Sequence, residues 1–62
     1  MKVTIEIDCK GAAFADSPTL EMLEILSDIS HGLKRDGLSM GTVMSLRDSN
    51  GNRVGRLITE ED

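Results

Sequence analysis

The feature that most narrows the fold of this chain is a segment near its end with the pattern of a single β-hairpin. Two stretches of alternating apolar and polar residues, 42–47 and 53–59, flank five turn-forming polar residues at 48–52. The two residues before Gly51 can form the centre of a type I turn, with Gly51 in the left-handed conformation after it. We therefore predict a β-hairpin over residues 40–59.

The first strand of the predicted sheet lies at residues 2–8, where apolar and polar side chains alternate strictly, a pattern typical of a half-buried strand. The core-facing side carries Val3, Ile5 and Ile7, and the opposite side carries Lys2, Thr4, Glu6 and Asp8. In the last strand, Val54 and Ile58 alternate on one side and Leu57 lies on the other, with Gly55 between them. This broken alternation permits a β-bulge at Gly55.

The central part of the chain has the signals of one helix. Ser17 suits the N-cap and Pro18 the first helical position, so a helix is predicted from residue 18 to about residue 35. Gly37 is expected to end the helix in a left-handed conformation. Phe14, the only aromatic residue, is assigned to the core.

Together these elements predict a single α+β domain over residues 1–62, ending in an acidic tail at 60–62. The architecture is β-α-β-β in two layers, a three-stranded and mainly antiparallel sheet with one helix packed on one face. Placing the third strand in the middle is favoured, because an antiparallel sheet tolerates one solvated face. A sheet in sequence order, with a parallel contact between the first two strands, stays open.

Length and composition restrict the classes of function. A 62-residue chain builds a small core, and self-association into a homodimer is the supplement that fits it best. Cys9 and His31 are the only residues of their types, so neither an internal disulfide nor a zinc site is expected, and a reducing location is indicated. A net charge of -4 argues against nucleic acid as a partner.

The sequence also lacks a membrane signal. No apolar run approaches the roughly 18 residues that a membrane span requires, and the first residues lack the apolar segment of a signal peptide. We therefore expect the protein in the cytoplasm.

No set of residues has the spacing that catalysis or metal binding requires. Asp48, Asn50 and Asn52 match the start of a calcium-binding loop, but Arg53 occupies the position that requires glycine, and Thr59 that of the bidentate Glu. His31 follows Asp28 by three residues without an evident nucleophile. We therefore predict no catalytic, cofactor-binding or metal-binding residue, no cofactor, and a function other than catalysis.

The remaining candidates are surfaces. A protein partner is expected on the sheet face away from the helix, through Thr4, Glu6, Val43, Arg47, Arg53 and Leu57. The helix carries more apolar residues than one small sheet covers, which predicts a second surface for a homodimer contact or a partner. That stripe consists of Met22, Ile25 and Ile29.

The hairpin sequence LRDSNGNRVG at residues 46–55, together with the Gly-Ala-Ala-Phe-Ala-Asp run at 11–16 and the leucine-rich helix, resembles small uncharacterised proteins of tailed phages and prophages. The resemblance covers nearly the whole chain and implies a phage-encoded accessory protein acting in a bacterial host cell. It implies no catalytic or binding residue.

In that context, a short acidic domain is expected to bind and block a host protein, for example an anti-phage defence component such as a CRISPR effector. Two alternatives stay open. One is an oligomer that sequesters a nucleotide signal, with phosphate contacts from Lys34, Arg35, Arg47, Arg53 and Arg56. The other is a structural or regulatory phage component.

Overall fold

A computed structural model describes all residues, 1–62, and confirms the α+β architecture with one three-stranded sheet and a helix packed against it. The elements in chain order are β1 (Lys2–Ile7), α1 (Ala12–Asp16), α2 (Pro18–Asp36), β2 (Val43–Arg47) and β3 (Arg53–Glu60). The short helix α1 is an addition to the predicted elements.

The sheet has the order β1-β3-β2, and both pairs of strands are antiparallel. The favoured strand order is therefore confirmed, and the alternative with a parallel contact is wrong. β3 pairs with both other strands, which leaves β1 and β2 as the two edges of the sheet.

The hairpin turn forms where the polar residues predict it. The N–H of Gly51 donates to the Asp48 carbonyl at 3.0 Å, and Gly51 has a φ of 82°. The Asp48 side chain reinforces the turn, because its Oδ1 accepts hydrogen bonds from the backbone N–H groups of Asn50 at 3.0 Å and Asn52 at 2.9 Å. The residues that resemble the start of a calcium-binding loop thus form a turn in which the Asp48 side chain hydrogen-bonds to the turn backbone.

The hairpin begins later than predicted, because residues 40–41 form a turn instead of strand. Gly41 has a φ of 89°, and its N–H donates to the Thr59 hydroxyl at 2.9 Å. The same hydroxyl donates to the Ser39 carbonyl at 3.1 Å. Thr59 therefore anchors the connection between α2 and β2 to the end of the sheet.

Helix α2 starts and ends at the predicted signals. Its N-cap is Ser17, whose carbonyl accepts the Glu21 N–H at 3.0 Å, although the Ser17 side chain makes no capping hydrogen bond. At the other end, the N–H of Gly37 donates to the Leu33 carbonyl at 2.8 Å, and Gly37 has a φ of 77°. Lys34 and Arg35 lie in the last turn, where the helix dipole favours cations.

The core lies between α2 and the sheet, and α1 closes one end of it. Phe14 of α1 is 3% exposed, which confirms its assignment to the core. Five buried side chains form the central cluster: Phe14, Ile25, Ile29, Leu46 and Leu57. Half-buried side chains packed around them are Ile7, Met22, Leu33, Met44 and Val54.

A β-bulge in β3 places one predicted surface residue in this core. Arg53 pairs with Arg47 and Gly55 pairs with Leu46, so Val54 between them has no partner in β2. The extra residue shifts the alternation by one, and both Val54 and Leu57 pack inward. The bulge forms where Gly55 predicts it, but the placement of Leu57 on the solvated face is wrong, since Leu57 is 1% exposed.

Candidate interaction surfaces

The sheet face that α2 leaves uncovered, here called the open face, carries most of the residues expected there. Strand register places Thr4 beside Ile58, Glu6 beside Arg56, and Ser45 beside Arg56. The residues that this face brings together are Thr4, Glu6, Val43, Ser45, Arg47, Arg53, Arg56 and Ile58. Of the expected partner-binding residues, only Leu57 lies elsewhere.

Three arginines gather at the hairpin end of the open face. Arg47 and Arg53 are directly opposite each other, and Arg56 pairs with Ser45 on the same face. The sequence pattern does not predict that Arg56 and Arg53 share a face, because residues three apart on a regular strand lie on opposite faces. The extra residue of the bulge, Val54, shifts the alternation by one and so places Arg53 and Arg56 on the same face. We call Arg47, Arg53 and Arg56 the basic cluster.

No salt bridge within the chain involves the basic cluster, although Glu6 lies opposite Arg56 across β1 and β3. The two ion pairs of the structure join the N-terminus to Asp62 and Arg35 to Asp36. Arg47 uses Nη1 to donate to the Gly51 carbonyl at 3.1 Å, which directs its guanidinium along the turn. All three arginines are exposed, on a protein of net charge -4.

The predicted helical stripe lies largely inside the molecule. Ile25 is 1% exposed and Ile29 is 6% exposed, and both belong to the core, with the half-buried Met22 packed against them. The prediction that Met22, Ile25 and Ile29 form an exposed stripe for a second copy or a partner is therefore wrong. The helix periodicity identifies its apolar side, but it does not tell which part of that side the sheet covers.

An uncovered apolar surface exists beside this stripe, over β1. Asp28, His31 and Arg35 share a cleft with β2, so this flank of α2 lies over β2. At about 100° per residue, Leu26 lies on the opposite flank, toward β1. On the side of the sheet that carries α2, Val3 and Ile5 of β1 are 41% and 45% exposed, and Leu26 itself is 47% exposed. We call Val3, Ile5 and Leu26 the β1 apolar surface.

The cleft between α2 and β2 has a volume of about 310 Å³. It is lined by Asp28, His31 and Ser45, the residue types that form a Ser-His-Asp catalytic triad. No hydrogen bond connects these three side chains, whereas such catalysis requires a nucleophile bonded to its base and a base bonded to its orienting group. Asp28, His31 and Ser45 therefore do not form a hydrogen-bonded triad in this structure.

Two carboxylates, Glu21 and Asp48, are buried, and each accepts backbone hydrogen bonds that hold the hairpin turn in place. Glu21 Oε1 accepts the backbone N–H of Ser49 at 2.9 Å, which ties α2 to the hairpin turn. Asp48 Oδ2 has no hydrogen-bond partner and lies against Gly11. Cys9 is exposed, and its thiol contacts the Ile7 carbonyl at 3.9 Å.

The structure contains no group of three or more His, Cys, Asp or Glu side chains arranged to hold a metal ion. Neither helix has the combination of length and apolarity that crossing a membrane requires. No family model matches the chain, and no curated protein or solved structure is significantly similar to it.

Proposed function

We propose that this protein acts by binding another protein through the open face of its sheet, and not by catalysis. The observation that supports the proposal best is the basic cluster, which collects three of the four arginines of an acidic chain, none of them in an intramolecular salt bridge. Exposed guanidinium groups without an intramolecular salt bridge are suited to a partner surface rich in carboxylates.

The physical basis is the geometry of arginine. Its planar guanidinium makes bidentate, charge-assisted hydrogen bonds with carboxylates, and arginine is enriched at protein interfaces for this reason. Arg47 and Arg53 repel each other across the strand pair, so a carboxylate bound between them relieves an unfavourable contact. The acidic remainder of the chain disfavours other orientations of an acidic partner.

The same face also offers apolar contact area. Val43 is 69% exposed, and Ile58 beside it is half-buried between Val43 and Thr4. A small apolar centre beside charged groups matches the general anatomy of a protein–protein interface. The partner is therefore expected to place an apolar side chain over Val43 and acidic side chains over the basic cluster.

The resemblance to phage accessory proteins supports a host protein as the partner and the bacterial cytoplasm as the location. In this hypothesis, the domain occupies a functional surface of an anti-phage defence component and blocks it sterically. The acidic partner surface would normally contact a positively charged substrate or subunit.

The test begins with a photo-crosslinking amino acid at Val43, which captures the partner through the open face in bacterial cells. The captured protein is then purified, and its affinity is measured for the wild type and for Arg53→Glu. We expect the charge reversal to weaken binding by roughly tenfold or more, because attraction to carboxylates becomes repulsion.

Lys34→Glu is the matched control, since it makes the same charge change on an exposed position of α2, outside the open face. Its affinity should stay within about twofold of the wild type, and added salt should weaken wild-type binding. Equal affinities for the two variants would rule out the basic cluster as the recognition site.

A phosphate-containing small molecule is a second candidate, because the basic cluster brings three of the expected phosphate-binding residues together. Lys34 and Arg35 lie in α2, and of the five residues only Arg35 and Arg47 line a common cleft. Cyclic nucleotides that bind here should raise the Tm of the wild type and not that of Arg53→Glu. No shift with either protein would eliminate this candidate.

A further inference from the structure

The edge of the sheet formed by β1 is the part of the surface most suited to a second copy of this chain. We propose that β1 pairs antiparallel with β1 of a second copy around a twofold axis centred on Thr4. The pairing joins the two sheets into one six-stranded sheet with both α2 helices on the same face.

The backbone of β1 presents free hydrogen-bonding groups in the required alternation. The N–H of Asp8 donates to the Val54 carbonyl at 2.7 Å, so the even-numbered residues of β1 direct their backbone groups toward β3. The N–H and C=O groups of Val3, Ile5 and Ile7 consequently point away from the sheet. An exposed edge of this kind is a template for another strand.

The side chains of β1 are complementary to themselves in this register. Centring the pair on Thr4 places Val3 opposite Ile5 of the second copy, and these are the residues with free backbone groups. It also places Lys2 opposite Glu6 of the second copy, on the open face, twice per dimer. Directly opposite residues have Cβ atoms about 5 Å apart, so each pair unites opposite charges.

The same pairing brings the β1 apolar surfaces of the two copies side by side. Val3 and Ile5 lie on the side of the sheet that carries α2, yet α2 packs over β2 and leaves them exposed. In the dimer, the two copies of Val3 and Ile5 form a continuous apolar strip at the centre of the sheet. The Leu26 flanks of both helices border this strip from its two sides.

The other edge of the sheet lacks these properties. The Thr42 carbonyl accepts the Thr59 N–H at 3.2 Å, so Val43, Ser45 and Arg47 carry the free backbone groups of β2. A symmetric pair centred on Ser45 would place Arg47 opposite Val43 of the second copy, without charge complementarity. Above β2, α2 already covers the apolar side of the sheet.

The experiment exchanges the charges at the proposed contact. In Lys2→Glu, two acidic residues line the edge, and in Glu6→Lys, two basic residues line it. Each variant alone should dimerise at least roughly tenfold more weakly than the wild type, since each symmetric contact becomes repulsive. An equimolar mixture should form a heterodimer, because every Glu then faces a Lys. Light scattering and native mass spectrometry over about 10 µM to 1 mM measure the species.

The mixture distinguishes the interface from an effect on folding. Within one chain, Lys2 pairs with Glu60 and Glu6 with Arg56, so each substitution also introduces an intramolecular repulsion. Those repulsions persist after mixing, and recovery of a dimer in the mixture can therefore only come from contacts between copies. Circular dichroism confirms that each variant is folded.

A second pair of variants tests the apolar strip. Ile5→Glu should weaken the dimer, and Leu20→Glu, which changes a side chain that is 55% exposed on α2 but outside this surface, should leave it unchanged. A wild-type monomer at about 1 mM would overturn the proposal. A wild-type dimer that neither charge variant weakens, or a mixture without heterodimer, would overturn the Thr4-centred register.

Discussion

Gly55 lies against the backbone of β1, and replacing it with alanine should remove a large part of the stability of the protein. An ideal Cβ at this position would overlap the Glu6 carbonyl oxygen and lie 2.9 Å from the Glu6 carbonyl carbon and 3.0 Å from Ile7 Cα. All of these atoms are backbone. No side-chain rotation can relieve the overlap, so β1 and β3 must move apart.

The expected loss follows from that separation. Overpacking of a tight contact costs about 1–3 kcal/mol, and weakening the neighbouring hydrogen bonds, including the 2.7 Å bond from Asp8 to Val54, costs about 1 kcal/mol each. The lower conformational entropy of unfolded alanine returns about 0.5–1 kcal/mol. With two such hydrogen bonds weakened, the sum is about 2–4.5 kcal/mol, against a total stability of about 3–9 kcal/mol for 62 residues.

Urea denaturation followed by circular dichroism measures this effect. With a slope of about 1 kcal/mol per molar urea for so small a domain, the midpoint of Gly55→Ala should fall by at least about 2 M. Gly32→Ala is the matched control. Its Cβ would meet Met44 Cε at 2.9 Å and Sδ at 3.2 Å, which are at the flexible end of a side chain, and alanine favours the helix by about 1 kcal/mol. Equal midpoints for the two variants would refute the backbone explanation.

Further substitutions test the core and the turn by the same denaturation assay. Leu57→Ala should lower the free energy of unfolding by about 2–5 kcal/mol, whereas Leu20→Ala, on the exposed side of α2, should change it by less than about 0.5 kcal/mol. Asp48→Ala should lower it by about 1–3 kcal/mol, because two turn N–H groups lose their acceptor, and Asp48→Asn, which keeps an acceptor oxygen, should lower it by less. Glu21→Ala should lower it by about 1–3 kcal/mol through loss of its bond to Ser49, while Glu24→Ala, an exposed acidic residue of α2, should leave it nearly unchanged. Equal effects within any of these three pairs would contradict the assigned contacts.

Local signals predicted most of this fold. The polar turn before Arg53, Pro18 at the start of α2 and Gly37 at its end each act within a few residues, and the structure confirms all three. The boundary of β2 was harder to predict, because Met40 continues the alternation while Gly41 adopts a positive φ that forms a turn.

Leu57 and Ile25 show why the surfaces were predicted less well. Leu57 faces the core instead of solvent only because Val54 is the extra residue of a bulge. Gly55 indicates that a bulge can form, but it does not predict which residue is the extra one. Ile25 is buried because α2 lies over β2 and leaves β1 open, which depends on the packing of whole elements. The basic cluster follows from the same bulge, since it brings Arg56 to the side of Arg53.

The central position of β3 has a consequence for how the molecule is made. Both strand pairs of the sheet involve β3, and Lys2 pairs with Glu60 across almost the whole chain. While a ribosome is still synthesising residues 53–60, β1 and β2 have no partner strand and Phe14 has no completed core to enter. The sheet therefore forms only after β3 has left the exit tunnel. Until then, the nascent chain presents β1 as an unpaired strand with one apolar side, of the kind that chaperones bind.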